Sequence, residues 1–166
     1  MDDGVDSFFR ERLAEFEATR LPETELVELA AGFQVPASLY DKLFEFQQTA
    51  LAWFWELHSQ EVGGILGDEM GLGKTIQVAA FLGAMQYQGL LQKPCLVVCP
   101  ATVMKHWVQE LHKWWPPLRV VVCHATGSAA GLGGRKMIGL LRAAPHGGVL
   151  IVSYGGLHAY AQELAS

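Results

Sequence analysis

The chain has 166 residues, 51% of them hydrophobic and 17% charged, against about 25% charged in an average soluble domain, a balance that excludes intrinsic disorder. A chain of this length buries a real core without disulfide staples, and Cys95, Cys99 and Cys123, an odd set inside apolar runs, read as reduced core thiols. Charge is unevenly placed: residues 1–30 hold nine acidic against three basic side chains, a net of −6, whereas nine basic and eight acidic side chains over 31–166 leave +1, too little for a nucleic-acid footprint.

The amino end, MDDGVDSFFRER, is acidic where a secretory leader is basic, and no run approaches the ~20 apolar residues of a membrane span, so an intracellular, soluble protein with no membrane contact is expected. Phe9, Leu13 and Phe16 recur at helical spacing in residues 5–18, which predicts a thin amphipathic helix that docks on something else. Pro22 and the acidic stretch after it read as a linker, making residues 1–35 an acidic helical segment and linker. From Leu39 to His58, Leu43, Phe46, Gln47, Ala50, Phe54 and Leu57 recur at steps of three and four, which predicts one well-buried helix. Short apolar runs then alternate with helical stretches. GGIL (63–66), CLVVC (95–99), RVVVC (119–123) and GVLIV (148–152) are expected strands, with helices over Lys74–Gln88, Val103–Trp115 and Arg135–Ala144 between them. That rhythm is α/β: a mostly parallel sheet with helices on both faces. TGSAAGLGG (126–134) reads as a flexible loop.

The most informative stretch is GGILGDEMGLGKT, residues 63–75, an apolar run entering a glycine-rich turn and then a helix. Gly71 and Gly73 permit the backbone curl that converges N–H groups on a phosphate, and the helix adds its positive end. Lys74 reaches the β and γ phosphates, and the Thr75 hydroxyl completes a Mg²⁺ shell. A strict GxxxxGK[ST] pattern would need glycine where Asp68 stands, so a tight turn ending in a helix N-terminus is the competing reading. Asp68 and Glu69 would repel a polyphosphate and are expected to face backbone amides or the metal's waters.

Together these residues resemble the Swi/Snf-type ATPases of helicase superfamily two, whose phosphate loop reads DEMGLGKT as residues 68–75 do. LFEFQQTALAWFWELH (43–58) resembles the upstream segment in which a glutamine reads adenine, a role that falls on Gln47; by chemistry alone, a glutamine on a helix face is more often simply solvated. VVCPATVMKHWVQELHKWWPP (97–117) and LIVSYGGL (150–157) resemble the two motifs that follow. The resemblance implies a RecA-like lobe over 36–166, an ATP site of Gln47, Asp68, Glu69, Met70, Gly71, Leu72, Gly73, Lys74 and Thr75, and Mg²⁺ on Thr75. It implies duplex DNA contacts from Pro100, Thr102, Ser153 and Tyr154, and Lys105, one turn into the helix, is a further candidate by its charge. Within the family it is nearest to a branch that serves transcription-coupled repair in the nucleus, with RNA polymerase II or chromatin as partners.

Thr102 also suits a helix cap, and Lys105 a solvated side chain. Trp107, Leu111, Trp114 and Trp115 are expected to pack in the core or against a second domain rather than stack on bases, and the six histidines show no zinc spacing. Hydrolysis needs a second acidic site, yet after Lys74 only Glu110 and Glu163 are acidic and neither follows an apolar strand. The expected chain is therefore the front half of one lobe, ending before that motif. Two functions follow: the ATP-binding part of a DNA-dependent translocase, or a nucleotide- or partner-holding module without turnover. A small-molecule kinase would need an Arg-rich lid, and only Arg119, Arg135 and Arg142 follow the loop.

Overall fold

A computed structural model describes residues 1–19, 25–127, 134–142 and 147–164. In chain order the elements are α1 (Asp6–Thr19), β1 (Leu26–Ala30), β2 (Phe33–Pro36), α2 (Ala37–Tyr40), α3 (Glu45–Ser59), α4 (Lys74–Tyr87) and β3 (Cys95–Val98). A 3₁₀ turn (Ala101–Val103) leads into α5 (Met104–Trp114), followed by β4 (Arg119–Cys123), α6 (Gly134–Arg142), β5 (Gly148–Val152), α7 (Tyr154–Ala159) and α8 (Ala161–Leu164). No described helix is long and apolar enough to cross a membrane.

The organising element is a parallel sheet of order β3-β5-β4, with Val97 beside Ile151 and Val122 beside Ile151 on its other side. Every residue of β4 and β5 is buried, which is what near-continuous Val/Ile/Leu runs require when both faces of a parallel sheet are covered. Val97, Val120, Val122, Val149 and Ile151 pack with Leu82 and Met85 of α4 and Val108 and Leu111 of α5. Val121, Leu150 and Val152 pack on the other face with Met137 and Leu141 of α6. The expected α/β class with helices on both faces is the class observed. Cys99 and Cys123 are buried and Cys95 half-buried, and none of the three is in a disulfide. Burial pushes the thiols of Cys95 and Cys99 up, which keeps them protonated and unreactive.

Three expectations need correction. The linker reading does not hold over 26–36, where Leu26–Ala30 and Phe33–Pro36 form an antiparallel hairpin. Phe33 stacks on Trp55 of α3 at 4.9 Å between ring centroids, and the Ala31 carbonyl accepts from the Trp55 indole N–H at 3.3 Å. Residues 20–24 lie outside the described set, as does most of the expected 126–134 loop. The single helix over 39–58 is broken at Asp41–Phe44, where the Phe44 N–H donates to Gln47 Oε1 at 3.0 Å and closes the first turn of α3. α3 buries Gln47, Ala50 and Leu51, and Leu43 is buried in the break before it, while Phe46 is exposed. Finally, 63–66 is no strand. A Cβ on Gly64 would lie 2.4 Å from Leu57 Cδ1, so this stretch runs against α3, and Ile65 is 91% exposed. Two adjacent glycines offer no side chains to pack in a sheet.

The amino-terminal segment docks on the free edge of β4. Asp3 N–H donates to the Val120 carbonyl, and Val120 N–H returns a bond to Asp3 Oδ2 at 2.8 Å. Val122 N–H reaches Asp2 Oδ1 at 3.4 Å. Around the fully buried Asp3 carboxylate, Arg12 makes a two-pronged ion pair and His112 Nε2 lies 3.1 Å away. Phe9 is buried beneath the guanidinium groups of Arg12 and Arg119, 5.6 and 5.0 Å from its ring centroid. Phe16 meets Trp115 edge-on. Asp2 and Asp3 thus cover the edge of β4, which would otherwise present bare backbone donors and acceptors, and the thin stripe of α1 packs beside it.

Burial raises the Asp3 pKa, but hydrogen bonds from His112 and Arg12, with their charges, outweigh it and hold the carboxyl below its usual value. A depressed folded pKa stabilises the fold above the unfolded carboxylate value of about 4, and that stabilisation is lost as pH falls through the folded value. Asp3→Asn is expected to cost about 3 kcal/mol near pH 7, the scale of a buried pair stripped of one partner. Urea midpoints of variant and wild type should converge on acidification; a constant gap down to about pH 2 would refute the ionic account.

Candidate nucleotide-binding site

The loop before α4 curls through two left-handed residues, Gly71 at φ +91° and Gly73 at φ +75°. A Cβ on Gly71 would meet nothing within 4 Å, whereas one on Gly73 would lie 2.7 Å from Gln47 Nε2. Gly73 is therefore required twice, for its backbone angle and for close approach. The first intrahelical bond of α4 runs from Gln77 N–H to the Gly73 carbonyl at 3.0 Å, which leaves the amides of Lys74, Thr75 and Ile76 directed out of the helix start. Beside them lies a cavity of about 390 Å³ lined by Met70, Gly71, Gly73, Lys74, Thr75, Ile76, His106 and Glu110, within the usual size range of small-ligand sites.

Side chains hold the loop in this shape. The Lys74 ammonium donates to the Glu69 carbonyl at 2.8 Å and to that of Asp68. Gln47 is buried, accepting from Phe44 N–H and donating to the Leu72 carbonyl at 3.2 Å, so it is not solvated. Asp68, half-buried, accepts from the Gln77 side-chain amide at 2.9 Å rather than from a backbone amide. Glu69, Met70 and Leu72 are exposed, and Thr75 is half-buried on the cavity wall. The donor set suits a polyphosphate: free helix-start amides, the Lys74 ammonium and the Thr75 hydroxyl.

The other expected contacts gather at the carboxyl ends of adjacent strands. Val98 of β3 pairs with Val152 of β5, and Cys99 N–H donates to the Val152 carbonyl at 3.1 Å, which brings Pro100 and Thr102 to the same sheet end as Ser153 and Tyr154. Pro100, Thr102, Lys105 and Tyr154 are exposed. Ser153 caps α7, its hydroxyl accepting from Gly156 N–H at 3.0 Å. Thr102 is no cap. It lies inside the 3₁₀ turn, where the Pro100 carbonyl accepts from Val103 N–H, and neither that turn nor α5 has a side-chain cap. Leu111 and Trp115 are buried and Trp107 and Trp114 pack against the same core, as expected.

Two groups escaped sequence reasoning. Gln77 is fully buried beneath the loop; its signal was a lone amide between Ile76 and the apolar run Val78–Ala80. His106 and Glu110, one turn apart on α5, form the far cavity wall, and Glu110 Oε2 accepts from the Trp114 indole at 3.1 Å. Nothing in the sequence brings α5 to the loop; the packing of α4 on α5 does.

Residues 46–166 match the model of the SNF2-related domain family. The chain is 43% identical to the DNA excision repair protein ERCC-6 of Homo sapiens over 92% of its own length and 12% of that protein's. It is 46% identical to the DNA repair and recombination protein RAD26 of Saccharomyces cerevisiae over 76% of this chain and 13% of the relative. A third relative, the Protein CHROMATIN REMODELING 8 of Arabidopsis thaliana, is 41% identical over 74% of this chain and 10% of its own. The chain thus spans only about an eighth or less of those relatives. With a glycine-curled loop opening a helix at Lys74 and a parallel sheet behind it, the chain belongs to the SNF2-related family.

Proposed function

We propose that the chain is the ATP-binding part of a DNA-dependent ATPase and translocase of the Cockayne syndrome group B type, acting in the nucleus in DNA repair, transcription and chromatin remodelling. The observation that carries this reading is the loop itself: left-handed Gly71 and Gly73, unpaired amides at the start of α4, and Lys74 and Thr75 on one cavity. The adenine would lie at Gln47, the polyphosphate on the loop amides and Lys74, and Mg²⁺ on Thr75 and waters, where it would supply charge neutralisation between the phosphates. Residues 36–166 would form the first part of a RecA-like lobe behind the acidic amino-terminal segment. Duplex DNA would lie across Pro100, Thr102, Lys105, Ser153 and Tyr154, held by phosphate contacts. Relatives named for excision repair, recombination and chromatin remodelling support the cellular setting; RNA polymerase II and chromatin are the proposed partners.

One observation favours a second reading, a module that holds nucleotide without turnover. Among the described residues Glu110 is the one carboxylate lining the cavity, and it is engaged by Trp114, whereas phosphoryl transfer to water needs an acid that orients the nucleophile. ATP turnover with and without duplex DNA, run beside nucleotide binding on the same sample, separates the two. Binding with DNA-stimulated turnover supports the motor, and binding alone supports the module.

Lys74→Ala should weaken ATP by more than about tenfold, the scale of a charge-assisted hydrogen bond, with the thermal midpoint unchanged; unaltered affinity by calorimetry would sink the phosphate-loop assignment. Gln47→Ala should weaken adenine nucleotides more than guanine ones, and equal loss would leave Gln47 a purely structural clamp. Gly71→Ala should cost about 1–2 kcal/mol of stability from its left-handed angle. Gly73→Ala should cost more, because its methyl also meets Gln47; a smaller cost at Gly73 would contradict the close approach.

A further inference from the structure

We propose that Gln77 is a positioning residue for the phosphate loop, fixing the direction in which the loop's backbone N–H groups point. The inference rests on the phosphate-loop reading above and adds to it a residue outside the ATP-binding set. Gln77 lies one turn after Lys74 on α4, so its side chain is carried back over the start of the helix. Its amide nitrogen donates to Asp68 Oδ2 at 2.9 Å and reaches the Leu72 carbonyl at 3.4 Å. Both partners are obligate acceptors, so the amide orientation is determined: a flipped amide would set oxygen against a carboxylate and a carbonyl. Gln77 Oε1 is buried with no hydrogen-bond partner among the described residues. A fully buried amide with one half unsatisfied is unfavourable, and here only its donor half has a task.

That task follows from peptide planarity. The carbonyl of one residue and the N–H of the next point in opposite directions across a trans peptide. Gln47 of α3 and Gln77 of α4 together hold the Leu72 carbonyl, which turns the Gly73 N–H away from both helices. Lys74 holds the carbonyls of Asp68 and Glu69, which does the same for the amides of Glu69 and Met70. Asp68 is thus gripped by α4 at its backbone through Lys74 and at its side chain through Gln77. When Lys74 leaves those carbonyls for a phosphate, the Gln77–Asp68 bond is the contact from α4 that remains to hold the near end of the loop. Asp68 in this account faces away from the polyphosphate, which removes the difficulty of an acid in a phosphate site.

The test uses the full chain with two readouts, hydrogen exchange of the Asp68–Gly73 amides and ATP affinity by calorimetry. Gln77→Met keeps the volume and removes the amide. It is expected to speed loop exchange and weaken ATP about tenfold while leaving the exchange of β4 and β5 unchanged. Wild-type loop exchange and affinity in Gln77→Met would overturn the proposal, because a residue that only packs would behave so. Gln77→Glu should be worse, setting two carboxylates together, and Asp68→Asn added to it should recover binding by reversing donor and acceptor. Should Gln77→Glu not fold, Gln77→Met decides alone. Should wild type bind no ATP, the phosphate-loop reading fails, and loop exchange in Gln77→Met still decides whether Gln77 holds the loop.

Discussion

The buried carboxylate of Asp3 is the joint on which the arrangement depends. It ties the amino terminus to β4 through Val120, to α1 through Arg12, and to α5 through His112. A three-stranded parallel sheet has two edges to manage, and at β4 this chain does so with its own first residues. The acidic surplus of residues 1–30, which composition alone assigns to a solvated segment, is in part an internal one. Asp3 and Asp6 meet Arg12, His112 and Arg119 within the fold, and at Asp3 the burial that would neutralise a lone carboxylate is outweighed by His112 and Arg12.

From that joint the structure continues into the candidate site. His112 sits on α5, whose other face carries His106 and Glu110 into the cavity by the phosphate loop and whose start follows the turn holding Pro100 and Thr102. One rigid helix therefore touches the proposed nucleotide site, the proposed DNA edge and the amino-terminal segment. α5 also packs on α4, the helix that begins at Lys74, and the indole of the adjoining Trp115 donates to Gln86 of α4 at 2.7 Å. The loop is then defined from three directions: α4 through Lys74 and Gln77, α3 through Gln47, and α5 as the far wall.

Much was legible in the sequence where side-chain chemistry and backbone requirement coincide. Strands of consecutive branched aliphatic residues, as in RVVVC and GVLIV, suit a doubly covered sheet, so β4 and β5 fell on the expected residues. The DEMGLGKT run names its conformation, because left-handed turns at Gly71 and Gly73 and a helix opening on Lys74 follow from glycine and phosphate-loop chemistry. The family followed from those residues taken together.

What only the tertiary structure decided concerns partners distant in the chain. The hairpin over Leu26–Pro36 carries a weak period-two signal hidden in acidic composition, and it is secured by Trp55 and Gln88 from elsewhere. GGIL ends in an aliphatic pair that suits a strand, but its two glycines do not, a strand exists only beside another backbone, and Gly64 lies against Trp53 and Leu57 of α3 instead. Gln47, Asp68, Leu72 and Gln77 are ordinary residues until two helices converge on one loop. Local sequence determines which conformations the backbone prefers, whereas hydrogen-bond partners are chosen by what packing brings within about 3 Å, and that information is distributed over the whole chain.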